Sequence, residues 1–410
     1  MRRLGPVFLV LVVAALASAP ARADLAPEPV GRAFTLPATP GPHWFWLSDL
    51  LLHRTALFDA DTGELLGSLS AGTAGVGFVI APLPSPDHRE LYLPESYYAR
   101  GVRGERTDVV NVYDGATLAP LHEIAIPPKR AEYFPGNAAN ALSDDGRFVA
   151  VFNATPGQSL TIVDVRERRF VTEVATPGCG LAFAAGPRRF LMLCADGAAL
   201  AVTVDEAGSV ASAARTERFF DPSADPLTEK AVRRGDEWLF VSFEGVVHPV
   251  DVSAPALRIA EPWPLFSEAD RKASWRIGGL QHLAVHAASG RLYALVHQGP
   301  KDTHKERGRE VWVYDLASHQ RLQQIALGNP LAALVRQQAG VEHGGAVSWL
   351  LDALLPNPGA GMIFVTQDES PLLLAAGEGP GGVLVHDARS GALLREIGEA
   401  GIASTLFFAP

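Results

Sequence analysis

Val311-Trp312-Val313-Tyr314-Asp315-Leu316-Ala317-Ser318-His319-Gln320-Arg321-Leu322 reads as a strand, a turn opened by an aspartate, and the start of a returning strand. Similar phrases recur as Thr55-Ala56-Leu57-Phe58-Asp59, Val110-Asn111-Val112-Tyr113-Asp114, Leu160-Thr161-Ile162-Val163-Asp164, Val247-His248-Pro249-Val250-Asp251 and Val383-Leu384-Val385-His386-Asp387. A weaker copy, Leu200-Ala201-Val202-Thr203-Val204-Asp205, fills the widest gap. The anchors Asp59, Asp114, Asp164, Asp205, Asp251, Asp315 and Asp387 lie 55, 50, 41, 46, 64 and 72 residues apart.

A short run of β-branched and aromatic residues is a strand buried on both faces. The aspartate that ends it can accept backbone N–H groups two residues on and so open a turn. Gly63 and Gly391 supply positive φ at the end of two such turns. A second apolar run follows each copy, as in Phe170-Val171-Thr172-Glu173-Val174, and a third precedes it. The preceding runs start at Trp44, Glu90, Arg147, Arg189, Glu237, Arg291 and Leu372. Three or four strands recurring about every 50 residues are the mark of propeller blades. Seven anchors predict an all-β, seven-bladed β-propeller over residues 42–410. A single large β-sandwich leaves the sevenfold turn signal unexplained.

Residues 1–23 read as an export signal, with Arg2 and Arg3 ahead of the apolar run Val7 to Ala17 and a small-residue cleavage pattern at Ala21-Arg22-Ala23. Residues 24–41 form an N-terminal extension. The apolar run is shorter than the roughly 20 residues of a spanning helix. The expected location is therefore the periplasm, with no membrane anchor. Cleavage removes three of the 35 basic residues and none of the 45 acidic ones, so the net charge of −10 becomes −13. An acidic exported chain has no electrostatic case for nucleic acid or anionic lipid.

In that compartment Cys179 and Cys194 read as a structural disulfide, with Gly186-Pro187 letting the segment double back between them. Their spacing is not that of a redox pair, and no histidine stands at metal-ligand spacing beside them. His282 and His286 fall on one face of a strand, a packing arrangement. Glu378-Gly379-Pro380-Gly381-Gly382 lacks a phosphate-loop lysine and a following helix, so it reads as a turn. Lys301-Asp302-Thr303-His304-Lys305-Glu306-Arg307 reads as a solvated loop. No Gly-x-Ser-x-Gly, His-Glu-x-x-His or EF-hand pattern is present.

Arg103-Gly104-Glu105-Arg106-Thr107-Asp108-Val109-Val110-Asn111-Val112-Tyr113-Asp114 resembles a segment of the heavy subunit of quinoprotein amine dehydrogenases. So does Trp275-Arg276-Ile277-Gly278-Gly279 with the following Gln281 to Gln298, and the cysteine pair falls where that family has its disulfide. The resemblance covers residues 42–329 and 361–405. Ile126-Pro127-Pro128-Lys129-Arg130 and Thr303-His304-Lys305 look like the aromatic-amine branch, while the cysteine spacing is similar to the methylamine branch; both stay open. The resemblance implies a propeller with no cofactor and no catalytic residue of its own. Its expected partner is a small light chain carrying tryptophan tryptophylquinone, in an assembly of two heavy and two light chains. That enzyme oxidises primary amines to aldehyde and ammonia and passes electrons to a blue copper protein or a c-type cytochrome.

The same resemblance places the loop Tyr97-Tyr98-Ala99-Arg100-Gly101-Val102 against the light-chain active site. Tyr98 stands where the family has an aromatic lining the substrate entrance, and Tyr97, Arg100 and Arg103 join it as interface residues. The departure is residues 330–361, where the family runs almost directly from one strand to the next. Leu331-Ala332-Ala333-Leu334-Val335 and Val347-Ser348-Trp349-Leu350-Leu351-Asp352-Ala353-Leu354-Leu355 predict one or two short helices ending near Pro356. Their apolar side is expected to cap the propeller or to cover a partner. The alternative function is a stand-alone propeller, either a binding scaffold or a lactonase-type hydrolase, which would need acidic and asparagine ligands converging on the central channel.

Overall fold

The computed structural model describes residues 35–70, 82–132, 137–377, 382–398, 400–402 and 404–410. The expected signal peptide, most of the N-terminal extension and the turn at 378–381 lie outside the described residues.

The strands form seven antiparallel sheets, each built from chain neighbours except one. Blades 2 to 7 follow in order along the chain. Blade 1 joins Trp44–Asp49, Arg54–Asp59 and Leu65–Ser70 to the last strand, Ser404–Phe408. Ser404–Phe408 pairs antiparallel with Trp44–Asp49, which closes the ring. The result is the predicted seven-bladed β-propeller.

Seven clusters of buried apolar side chains fill the seven clefts between adjacent blades. This explains why the signature runs are apolar without interruption. In Glu310–Asp315 of blade 6, Trp312 and Tyr314 enter the cleft with blade 5, while Val311 and Val313 enter the cleft with blade 7. Successive side chains alternate between two cores, so neither face can be polar.

All seven anchor aspartates act alike. Each carboxylate accepts backbone N–H groups two to four residues on. Asp114 accepts from Ala116 at 3.1 Å and Thr117 at 2.7 Å, and Asp387 from Arg389 at 3.1 Å and Ser390 at 2.6 Å. Asp59, Asp164, Asp205, Asp251 and Asp315 repeat the pattern. In blades 1, 2, 3, 4, 6 and 7 the outer pairing slips just before the aspartate, a bulge that twists each sheet. Six turns end in the left-handed region, at Gly63, Leu118, Arg168, Gly208, His319 and Gly391. Only three of those six advertise it with glycine.

Cys179 and Cys194 form the disulfide, across a directly opposed pair of blade 4 strands. The insertion between blades 6 and 7 forms two helices, Pro330–Ala339 and Ala346–Leu354. The first is capped by Asn329, whose side chain accepts from the Leu331 and Ala332 amides. It lies on the outer strands of blade 7 rather than over the ring axis, with Ala333 in the cleft core. Buried Arg336 joins Glu396 of blade 7 to Asp352 of the second helix.

A second clasp lies beside the closing blade. His43 bonds Asp61 of blade 1 through Nδ1 at 2.7 Å and Asp368 of blade 7 through Nε2 at 3.1 Å. Burial works against the charged ring, but the two carboxylates outweigh it and hold its pKa above 6.5.

Three outcomes follow from this architecture. Phe407→Ala removes a fully buried ring packed on Phe45 at the seam, and should cost about 3–5 kcal/mol in urea unfolding. Because His43 has a raised folded-state pKa, its contribution is present below pH 6.5 and lost as pH rises through the folded value. The melting temperature should therefore fall more steeply above neutrality in the native protein than in His43→Gln. The Ser390 amide and hydroxyl hold the Asp387 carboxyl low, and the Thr117 hydroxyl and amide do the same for Asp114. Their contribution is present above about pH 4 and lost as pH falls through the folded values, which an acid melt of Asp387→Ala should show as a shallower decline.

Candidate functional site

Blade 2 differs from the others in its central hairpin. Glu90–Tyr98 and Arg106–Asp114 each run nine residues, and their pairing extends from Glu90 opposite Asp114 to Tyr98 opposite Arg106. The inner strand Leu83–Pro84 covers only Leu91 and Tyr92, and the outer strand Pro120–Ile126 stops at Asp108. The last two pairs, Tyr97 with Thr107 and Tyr98 with Arg106, therefore overhang the blade. At the tip, the Arg100 N–H donates to the Arg103 carbonyl at 2.9 Å and the Ala99 N–H to Glu105 at 3.0 Å. Gly101 at φ 73° takes the first central position of this tight turn, where a side chain would be strained.

The sequence reading placed Tyr97 and Tyr98 in a loop; both instead end the strand Glu90–Tyr98. Strand alternation then sends them to opposite faces. On one face, the Tyr97 hydroxyl donates to Glu95 at 3.1 Å and accepts from the Asn111 amide at 2.7 Å. The Tyr113 hydroxyl, at 3.3 Å, also donates to Glu95. Burial, reinforced by the Glu95 charge, pushes the Tyr97 and Tyr113 phenols upward, so both stay protonated donors.

The other face carries a charged network. The Tyr98 hydroxyl donates to Glu132 at 2.7 Å, and Glu132 also meets Arg106 at 3.2 Å. Arg106 grips Asp108 with two bonds of 2.7 Å each and donates to the Arg130 carbonyl. The Arg130 N–H returns to Asp108 at 2.9 Å, and its guanidinium reaches Ser96 at 3.1 Å. Asp108, Glu132 and Arg130 are all buried. A bidentate pair of this kind fixes direction as well as distance. The half-exposed Tyr98 ring is thus held by its hydroxyl at the overhang, whereas Arg100 and Arg103 stand in solvent at the tip.

The structure brings Tyr98 together with Arg106 and Glu132, and separates it from Tyr97. Glu132 gives no sign of its role in the sequence, and Arg130 stands out only within the family-like segment Ile126-Pro127-Pro128-Lys129-Arg130, because both lie on a connecting segment with no periodic signal. The two-residue alternation Glu95-x-Tyr97 and Arg106-x-Asp108 was the available clue to the two faces.

The other sequence candidates are packing groups. His282 is fully buried, with Nε2 on the Thr228 hydroxyl at 2.9 Å and Nδ1 on the Gly279 carbonyl at 3.2 Å. Burial pulls its pKa to about 4, so the ring is neutral. His286 bonds Ser289 and the Asp368 carbonyl. In the polar loop, His304 stacks on Phe243 at 3.5 Å, while Lys301 and Lys305 are exposed. The ring axis holds a channel of about 690 Å³ lined by all seven inner strands, mainly through apolar residues such as Leu83, Phe183, Leu283, Ile363 and Phe407. Among the described residues, no three His, Cys, Asp or Glu side chains come together as metal ligands.

The seven-bladed ring with its buttressed overhanging hairpin places the chain among the β-propellers. Residues 52–348 match the family model for the methylamine dehydrogenase heavy chain (MADH), and the chain belongs to that family. The match ends inside the second inserted helix. The methylamine dehydrogenase heavy chain of Methylophilus methylotrophus is 26% identical over 418 residues, covering 98% of this chain and 94% of that one. The heavy chain of Paracoccus versutus is 27% identical over 348 residues, covering 84% and 73%. A solved structure of a functionally unknown protein from Desulfotomaculum acetoxidans superposes with a TM-score of 0.54 at 12% identity, covering 88% of this chain and 98% of that one, a likeness of fold alone.

Removing the hydroxyl of Tyr98 tests the buttress. Tyr98→Phe should leave Glu132 with one fewer donor and cost about 1–3 kcal/mol of stability in urea unfolding. Tyr97→Phe should cost a similar amount through Glu95.

Proposed function

We propose that this chain is the cofactor-free heavy subunit of a periplasmic amine dehydrogenase, and that the blade 2 overhang is its contact with the catalytic light chain. Family membership supports the complex, and the observation that carries the contact is the overhang itself. It is a rigid pair of strand ends standing clear of the ring, with one aromatic ring locked by a buried charge network. The light chain's tryptophan tryptophylquinone would supply the electron sink that turns a primary amine into aldehyde and ammonia, with a blue copper protein or c-type cytochrome taking the electrons.

This chain's residues would shape access. Tyr98 presents a flat ring whose position Glu132 and Arg106 hold, so the ring limits the volume available to the amine and keeps water out. Arg100 and Arg103 offer exposed cations to partner carboxylates at the rim. Tyr97 faces away and holds the hairpin through Glu95 and Asn111. The channel of the hydrolase alternative is walled mainly by apolar side chains, and that reading draws no support from it.

The purified chain alone should show no amine-dependent dye reduction and should gain it when co-produced with its light chain. Within that complex, Tyr98→Ala should change the ratio of kcat/KM between methylamine and a bulky arylalkylamine by about tenfold, the scale of a pocket wall lost, while Tyr98→Phe keeps the ratio. Equal effects on both amines would show that Tyr98 does not line the entrance.

A further inference from the structure

The channel along the ring axis holds about 690 Å³, the scale of a small-molecule site. The charged side chains that line it are already paired. Lys230 meets Glu229, and Arg233 grips Asp144 with bonds of 2.6 Å and 2.7 Å. Gln367 donates to the Val285 and Val365 carbonyls at 2.7 Å and 2.9 Å, Trp238 donates to the Ala184 carbonyl at 2.7 Å, and Gln281 is engaged with Phe407. Asn140 is the exception. It opens the innermost strand of blade 3, Asn140–Leu142, and is only 8% exposed. Among the described residues, its carbonyl oxygen Oδ1 is the one buried side-chain polar atom on the channel wall without a hydrogen-bond partner. A stranded buried carbonyl costs stability, which calls for a partner that the chain itself does not supply.

We propose that the channel binds a neutral, mainly apolar small molecule that ends in a primary carboxamide or a lactam. Asn140 pairs with that end, and Leu83, Phe183, Leu283 and Ile363 enclose the body. The head group follows from the chemistry of the side chain. An asparagine amide sets one acceptor beside two donors, and a second amide returns the complementary donor and acceptor in either orientation. An aldehyde only accepts, and would leave Oδ1 stranded. The lack of charge follows from the pairing along the wall. An ammonium or a carboxylate would leave water for an apolar tube whose ions already have their counter-charges. Asn140, Glu229, Lys230 and Gln281 open or precede the innermost strands of their blades, so these polar groups gather where the chain enters each blade. Val285, Val365 and Phe408 line the channel beyond them, so the ligand lies with its head at that end and its body along the axis. A water molecule alone would satisfy the carbonyl but leave those apolar walls wet.

Calorimetric titration of the mature full-length chain tests this with probes that share one body: 4-phenylbutanamide, 4-phenylbutylamine and 4-phenylbutanoate. The amide should bind once per chain, and the amine and the carboxylate about tenfold more weakly. Asn140→Leu should weaken amide binding about tenfold, the scale of one hydrogen bond. Its melting temperature should be unchanged or raised, because Oδ1 has no bond within the chain to lose. Leu142→Trp, which fills the channel two residues along the same strand, should abolish binding. Absence of saturable amide binding by the native chain overturns the proposal and leaves the channel to water. Binding that survives both substitutions puts the amide elsewhere and overturns it too, and equal affinity for the amine or the carboxylate overturns the neutral ligand. A lowered melting temperature in Asn140→Leu would make Asn140 a structural group and contradict the assignment.

Discussion

The pairing of Ser404–Phe408 with Trp44–Asp49 is the contact on which the rest of the molecule depends. Each blade buries its two faces only against its neighbours, so a ring open at one cleft would expose two apolar sheet faces to water. Closure joins the two ends of the described chain in one sheet, and side-chain contacts reinforce it. The Gln281 side chain of blade 6 bonds both the N–H and the carbonyl of Phe407, and His43 ties blade 1 to blade 7. Local hairpins pair residues close in sequence; this seam spans nearly the whole chain and makes seven sheets one body.

That body gives blade 2 its particular use. A two-stranded overhang is marginal by itself, but here its base is gripped by full clefts on either side and its free end by buried Arg130, Glu132 and Asp108. Tyr98 is therefore positioned by the whole ring rather than by a loop. The insertion is anchored in the same manner, through one buried arginine on blade 7, but turns its apolar side outward. The two projections are chemically distinct, one tyrosine- and arginine-bearing and one aliphatic with a tryptophan.

Much of the fold was legible in the sequence because the aspartate turn is local. Carboxylate and amide lie within four residues of each other, so each of the seven copies is readable where it stands. The paired helices before Pro356 were readable for a similar reason, through alanine and leucine content. The innermost strands were far less visible. Leu83–Pro84, Asn140–Leu142 and Val232–Arg234 are two or three residues long and owe their conformation to the neighbouring strand. Leu118, Arg168 and His319 in the left-handed region give no sign of it by residue type. At the site, Tyr98 could be singled out by likeness to a family, but its partner Glu132, 34 residues away, could not. Which way the inserted helix faces was equally hidden, since its sequence allowed either side to be buried.

The proposed function places the contact with a light chain at the blade 2 overhang. Amide hydrogen exchange across the chain, with and without the light chain, measures this directly. Binding should slow exchange at residues 97–107 and leave the outer strand Arg321–Ala326 on blade 6 unchanged. Protection confined to other blades, with 97–107 exchanging as in the isolated chain, would contradict it.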